Sequence, residues 1–305
     1  MLVAGMVRVG AQSVSIMPLG DSLTWGYDGG PDTPSYLNNL DTGGYRSPLY
    51  STLTSNGISV NYVGVNNGNP SPILTAAGQT GSNGFNGYTI NEIDGNLAGS
   101  VPSADGISNQ GGYWLTGGGG TGRGPETANI ILLQIGANDI GQGYDPAFTG
   151  TPGTESNAQF AADETQRLEN LINDIIRYEP NATLLVDGTS PLYNGANFTT
   201  LSYDYDNDVA ALIGSTYKGS NVHYVNMFAA INNGTIPGYE LYESDGVHLN
   251  TEGYAVMAQT WDDAIMADYN FNSDYELIVP EPSTWALLLG GLGVLTFCRR
   301  RIRRA

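Results

Sequence analysis

Residues 130–139 read IILLQIGAND. The first six are apolar except for Gln134, and apolar and polar positions do not alternate. Such a strand suits a position covered on both faces, as in parallel sheets flanked by helices. Outward from it, strand-like runs alternate with helical spacings along most of the chain. The pattern predicts strands over Ser13–Leu19, Ser59–Val65, Ile130–Ile135, Thr183–Val186 and Val222–Met227. It predicts helices over Tyr45–Asn56, Thr89–Leu97, Ala158–Tyr178, Tyr203–Ile213 and Thr251–Tyr269, the last with Thr251 as its N-cap. The expected fold class is α/β. It is a three-layer α/β/α sandwich around a five-stranded parallel sheet of order 2-1-3-4-5 with right-handed crossovers. In that order ligands bind beyond the carboxyl ends of strands 1 and 3, where the winding direction reverses.

Charge narrows the function classes. Five of the 11 basic residues lie in the last seven positions, so residues 1–298 carry six basic against 30 acidic residues, a net of −24. A body of that charge repels phosphate backbones, and no nucleic-acid partner is expected. The single cysteine, Cys298, sits near the end of the chain and leaves the body without a disulfide, a thiol nucleophile or a cysteine-based metal site.

The first predicted strand ends in Pro18-Leu19-Gly20-Asp21-Ser22-Leu23, which places a serine at the switch point. A helix starting there would favour developing negative charge. The third strand runs into Gly136-Ala137-Asn138-Asp139, so the Asn138 amide emerges nearby as a donor suited to an oxyanion. Asp245-Gly246-Val247-His248 precedes the closing helix. The chain has two histidines. His223 lies in a predicted strand and reads as structural, which leaves His248 as the base available to Ser22. Each residue also has a plain structural reading. Ser22 and Asp245 could cap helices, Asn138 could close a turn, and His248 could sit on the surface.

Four ordered blocks together resemble the SGNH (GDSL-type) hydrolases: GDSL at Gly20–Leu23, GFNGYTI at Gly84–Ile90, GAND at Gly136–Asp139 and DGVH at Asp245–His248. The resemblance covers about residues 13–270 and implies the flavodoxin-like SGNH hydrolase fold. It implies a catalytic Ser22, His248 as its base and Asp245 as the group orienting the imidazole. The oxyanion hole would comprise the Ser22 and Gly87 backbone N–H groups and the Asn138 amide. IMPLGDS, Gly43-Gly44-Tyr45-Arg46, Tyr62-Val63-Gly64 and NGYTI look most like carbohydrate esterase family 3. That branch implies an acetylated polysaccharide as the ester substrate, with Arg46 bracing a helix. A lipase or thioesterase with the same triad, or a catalytically silent surface or matrix protein, are the other readings.

No cofactor is expected. The alternating Asp204, Asp206 and Asp208 offer one possible calcium loop, but they lack the glycine and distal glutamate of an EF-hand and read better as helix-capping acids. The segment Gly106–Gly124, with nine glycines in 19 residues, reads as a flexible surface excursion. The loops on the Ser22 side carry Trp25, Tyr27, Tyr144, Tyr193, Tyr239 and Tyr242, whose rings suit sugar faces. Trp25 and Tyr27 are the first candidates for substrate binding.

The ends of the chain set its location. Val279-Pro280-Glu281-Pro282-Ser283-Thr284 breaks any helix, Trp285–Cys298 is a run of 14 uncharged residues, and Arg299–Arg304 closes the chain. A bilayer span needs about 20 apolar residues, so this run is short. The segment resembles the PEP-CTERM sorting signal. That resemblance implies export, a transient inner-membrane anchor and removal by an exosortase-type protease. Residues 1–12 make a poor signal segment, because Arg8 interrupts a short apolar run. The expected organisation is 1–12 signal remnant, 13–270 hydrolase domain, 271–283 linker and 284–305 sorting tail.

Overall fold

Strand β1 (Ser13–Gly20) is an interior strand of the sheet, with neighbours on both edges. The computed structural model describes residues 13–27, 43–99, 114–116, 126–142, 156–194, 197–232 and 238–269. The strands are β1, β2 (Ser59–Tyr62), β3 (Asn83–Gly84), β4 (Ile130–Gln134), β5 (Thr183–Asp187) and β6 (Val222–Tyr224). They form one parallel sheet of order β2-β1-β4-β5-β6. That is the expected order and class, with six strands where five were expected. The extra strand, β3, has two residues, too few for any period to show. It pairs with Leu19 and Gly20 at the carboxyl end of β1, beyond Ile16, where the β2 pairing stops.

The helices are α1 (Ser22–Trp25), α2 (Arg46–Ser55), α3 (Pro72–Ala76), α4 (Ile90–Ala98), α5 (Ala137–Gln142), α6 (Asn157–Tyr178), α7 (Phe198–Thr216), α8 (Met227–Ile231) and α9 (Thr251–Asp268). A 3-10 turn spans Gly238–Leu241. Alternate residues of the sheet feed two cores. Met17, Leu19, Ile131, Leu133, Leu184 and Val186 join one buried cluster with the inner faces of α4, α6 and α7. Val14, Ile16, Leu132 and Leu185 are also fully buried but take the opposite face, as strand alternation requires. On that side α2 meets α9, where the Tyr45 and Trp261 rings lie 6.1 Å apart.

Several boundaries differ from expectation. The N-cap of α9 is Asn250, not Thr251: its side chain accepts from the Glu252 and Gly253 N–H groups, both at 3.0 Å. Helix α7 starts five residues earlier than predicted, at Phe198, because burial of Leu201 and Tyr205 outweighs the poor helix propensity of Thr199 and Thr200. Asp204, Asp206 and Asp208 therefore lie mid-helix and are not caps. Steps of about 100° per residue turn Asp206 away from the other two, and its Oδ2 accepts from the Tyr224 hydroxyl at 2.6 Å. Among the described residues no group of three or more His, Cys, Asp or Glu side chains is placed to hold a metal ion.

Of the glycine-rich segment only residues 114–116 are described, and these are not the surface excursion expected. Trp114 and Leu115 are buried, and the Trp114 ring stacks on Phe85 at 4.7 Å. Among the described residues no helix is long and apolar enough to cross a membrane. The terminal apolar run, the residues before Ser13 and Tyr144 lie outside the described residues.

Candidate active site

The nucleophile candidate is positioned by the end of the sheet. At Gly20 a β-carbon would stand 2.1 Å from the Gln134 carbonyl oxygen, so only glycine lets β1 approach β4 this closely before the chain turns. Asp21 then caps α1, its Oδ1 accepting from the Leu23 N–H at 2.9 Å. Ser22 is the first helical residue, where a backbone N–H has no intrahelical acceptor. Burial pushes the Asp21 carboxyl up to about 6, against the Leu23 N–H and the field of His248.

The other half of the site is a tight turn ahead of α9. Tyr242 and Leu249 pair across it, and the Glu243 N–H donates to the His248 carbonyl at 2.8 Å. Asp245 Oδ1 accepts from the backbone N–H groups of Val247 and His248, both at 2.9 Å. Its Oδ2 lies 2.7 Å from His248 Nδ1, and His248 Nε2 lies 2.8 Å from Ser22 Oγ. Burial alone would raise the Asp245 carboxyl. The bonds from the His248 ring and from the two N–H groups outweigh it and hold the carboxyl below its usual range. Ser22, His248 and Asp245 thus form one hydrogen-bonded chain, able to take a proton from the serine as it attacks.

The two other site blocks sit on the strands that flank β1. Gly87 has φ 78, a left-handed conformation that favours glycine. Beneath its loop Phe85 stacks on Tyr88 at 4.9 Å and on Trp114. Asn138, in the first turn of α5, donates from Nδ2 to the Tyr88 carbonyl at 2.9 Å, which ties that loop to the end of β4. Asp139 reinforces the tie by accepting from the Ile90 N–H at 3.1 Å, with Arg167 Nε 3.8 Å away. Burial pushes Asp139 up to about 7, opposed by Arg167, and holds the neighbouring Glu164 well above the carboxylate range.

Around this centre Trp25 and Tyr27 are half-buried, with ring centroids 6.3 Å apart. Tyr239 is exposed. Tyr242 is buried and lies edge-on to Tyr193, so these two of the expected sugar-facing rings pack on each other. His223 stands away from the site, 3.4 Å from Asp268. Arg46 is fully buried and reaches out of its helix to donate from Nη2 to the Trp25 carbonyl at 3.1 Å.

Sequence reading overlooked Tyr254, whose hydroxyl donates to the Tyr27 carbonyl at 2.7 Å. Its spacing from Met257, Trp261 and Ile265 places it on the buried face of α9, but nothing in the sequence marks a backbone carbonyl as its partner. It also overlooked the Asp139–Arg167–Glu164 group, because no local spacing shows that Asp139 comes to rest beside α6.

Residues 19–256 match the GDSL-like Lipase/Acylhydrolase family. Residues 279–304 match the PEP-CTERM protein-sorting motif, a signal for export with membrane-associated processing. The chain is 28% identical over 265 residues to a multidomain esterase from Ruminococcus flavefaciens. That match takes in 82% of this chain and 28% of the relative, so the chain spans little more than a quarter of the relative's length. Among solved structures it is similar to a carbohydrate esterase family 3 protein from Talaromyces cellulolyticus, with 16% identity, 83% of this chain and 96% of that one covered, and a TM-score of 0.53. It is also similar to an acetylxylan esterase from Geobacillus stearothermophilus, with 16% identity, 84% and 96% covered, and a TM-score of 0.51. At that identity the likeness is one of fold, and the family assignment rests on the 19–256 match: the chain belongs to the GDSL-like lipase/acylhydrolase family.

Proposed function

We propose that this protein is an exported carboxylic ester hydrolase that removes small acyl groups, acetyl above all, from carbohydrate. The observation that carries the reading is the unbroken chain Ser22 Oγ–His248 Nε2 at 2.8 Å and His248 Nδ1–Asp245 Oδ2 at 2.7 Å. In this mechanism Ser22 Oγ attacks the ester carbonyl and His248 Nε2 takes its proton. The N–H groups of Ser22 and Gly87 and the amide of Asn138 hold the tetrahedral oxyanion. His248 then protonates the departing alcohol. A water, deprotonated by the same imidazole, releases the acid from the acyl-serine. Asp245 keeps the proton on Nδ1 and stabilises the imidazolium.

The carbohydrate part is supported by the blocks shared with carbohydrate esterase family 3 and by Trp25, a half-buried ring three residues from the nucleophile. For the tail, exosortase-type cleavage near Pro282 would release the protein from a transient inner-membrane anchor.

Protein collected from outside the cell tests both parts. Its intact mass should correspond to a chain without Arg299–Arg304, and a mature form retaining them contradicts the processing scheme. It should release acetate from acetylated xylan and hydrolyse p-nitrophenyl acetate. An aromatic contact worth about 0.5–1.5 kcal/mol corresponds to about 2- to 12-fold in affinity. Trp25→Ala should lose that much on the polymer and little on the aryl ester. Equal losses remove the carbohydrate argument. A folded protein that hydrolyses neither substrate overturns the esterase and favours a binding role in the matrix.

A further inference from the structure

The turn that carries Ser22 is held by side chains from three other parts of the chain, each on a different carbonyl. The Trp25 carbonyl accepts from Arg46 Nη2 at 3.1 Å and from the Asn69 N–H at 3.3 Å. The Gly26 carbonyl accepts from Asn69 Nδ2 at 3.2 Å. The Tyr27 carbonyl accepts from the Tyr254 hydroxyl at 2.7 Å. Tyr254 is buried in the first turn of α9, the helix that follows the His248 turn. Between these two points the Tyr27 ring lies against the His248 imidazole, with centroids 4.2 Å apart and planes at 52°.

We propose that Tyr27 is a positioning residue for His248, its ring forming the wall that keeps the imidazole aligned between Ser22 and Asp245, and that Tyr254 fixes that wall. The inference rests on the triad reading above. Its physical basis is that the imidazole is held by Asp245 at Nδ1 and by Ser22 at Nε2, and the second bond is given up once the serine oxygen attacks. Held then by Asp245 alone, the imidazole could swing, and the tilted Tyr27 ring packed against it blocks the swing. The contact recruits no atom of the substrate, so its loss should act on turnover with any ester. That separates it from sugar stacking, which would act on polymer affinity.

The test uses the full-length protein, with p-nitrophenyl acetate and acetylated xylan measured in parallel. Misplacing a reacting group by about 1 Å can cost about 10²-fold. Tyr27→Leu should therefore lower kcat by about 10- to 100-fold on both substrates with KM little changed, and Tyr27→Phe, which keeps the ring, should recover most of the loss. Tyr254→Phe keeps its own packing and loses only the hydroxyl. It should give a smaller fall in kcat in the same direction, and it serves as the probe if the leucine variant fails to fold. The proposal is overturned if folded Tyr27→Leu turns over at the parent rate, or if the loss appears only as a raised KM on xylan. It is also overturned if Tyr27→Phe is as poor as Tyr27→Leu, or if Tyr254→Phe is unchanged in kcat. Ser22→Ala runs alongside. If that variant stays active, the triad reading fails with the proposal; if it is inert while Tyr27→Leu is normal, only the positioning role fails.

Discussion

Ser22→Ala is expected to abolish turnover, with kcat on p-nitrophenyl acetate falling about 10⁴- to 10⁶-fold while the thermal midpoint stays near that of the parent. The serine hydroxyl bonds to His248 Nε2, and the substitution removes one oxygen from a site at the mouth of the sheet, so the fold has little to lose. His248→Ala should be comparably poor. The two substitutions together should be no worse than either alone, because the residues act as one unit. Asp245→Asn is the more informative variant. Its amide oxygen can keep accepting from the Val247 and His248 N–H groups, which leaves the NH₂ facing His248 Nδ1. That nitrogen must then accept, the ring proton moves to Nε2, and the imidazole cannot receive the Ser22 proton. A loss of about 10⁴-fold follows with the turn intact. Ser22→Ala with parental activity in a purified, folded sample would mean the nucleophile lies elsewhere.

The second large effect is expected at Asn138. Removing one oxyanion donor typically costs about 10²- to 10³-fold in kcat, and Asn138→Ala should fall in that range with KM nearly constant. The amide has two N–H donors, and one is used by the Tyr88 carbonyl. The substitution therefore also loosens the loop that presents Gly87. Melting curves measured with the kinetics separate the two effects. A variant destabilised but normal in kcat would make Asn138 a purely structural tie and remove it from the oxyanion hole.

The centre of the sheet was legible because β4 and β5 are buried on both faces. Apart from Gln134 and Thr183 at their ends, IILLQ and TLLV are apolar without interruption, and no helix-length period competes with them. What escaped was short or polar. Strand β3 is Asn83–Gly84, and α1, α3, α5 and α8 each have four to six residues, below one repeat of the apolar pattern. Trp114 was hidden by its surroundings, since the short YWL run among glycines reads as a loop until the partner ring of Phe85 is known. In the site, Ser22, Asp245 and His248 could be put forward as candidates from the ordered GDSL and DGVH blocks, with only two histidines to choose between. The bond from Tyr254 to the Tyr27 carbonyl could not, because a main-chain acceptor is the same at every residue. Pairings of this kind depend on where two distant turns come to rest, which local spacing does not encode.

The place of β1 inside the sheet bears on when the site can assemble during synthesis. It is the first of the described strands, yet its partner β4 begins at Ile130 and the imidazole that meets Ser22 lies 226 residues beyond that serine. Contacts that distant make for high contact order and slow, late closure. A nascent chain therefore holds Ser22 without its imidazole partner until all the described strands and the Asp245–His248 turn have been made. At about 5–20 residues per second, the 226 residues from Ser22 to His248 take about 11–45 s, during which the two cannot meet.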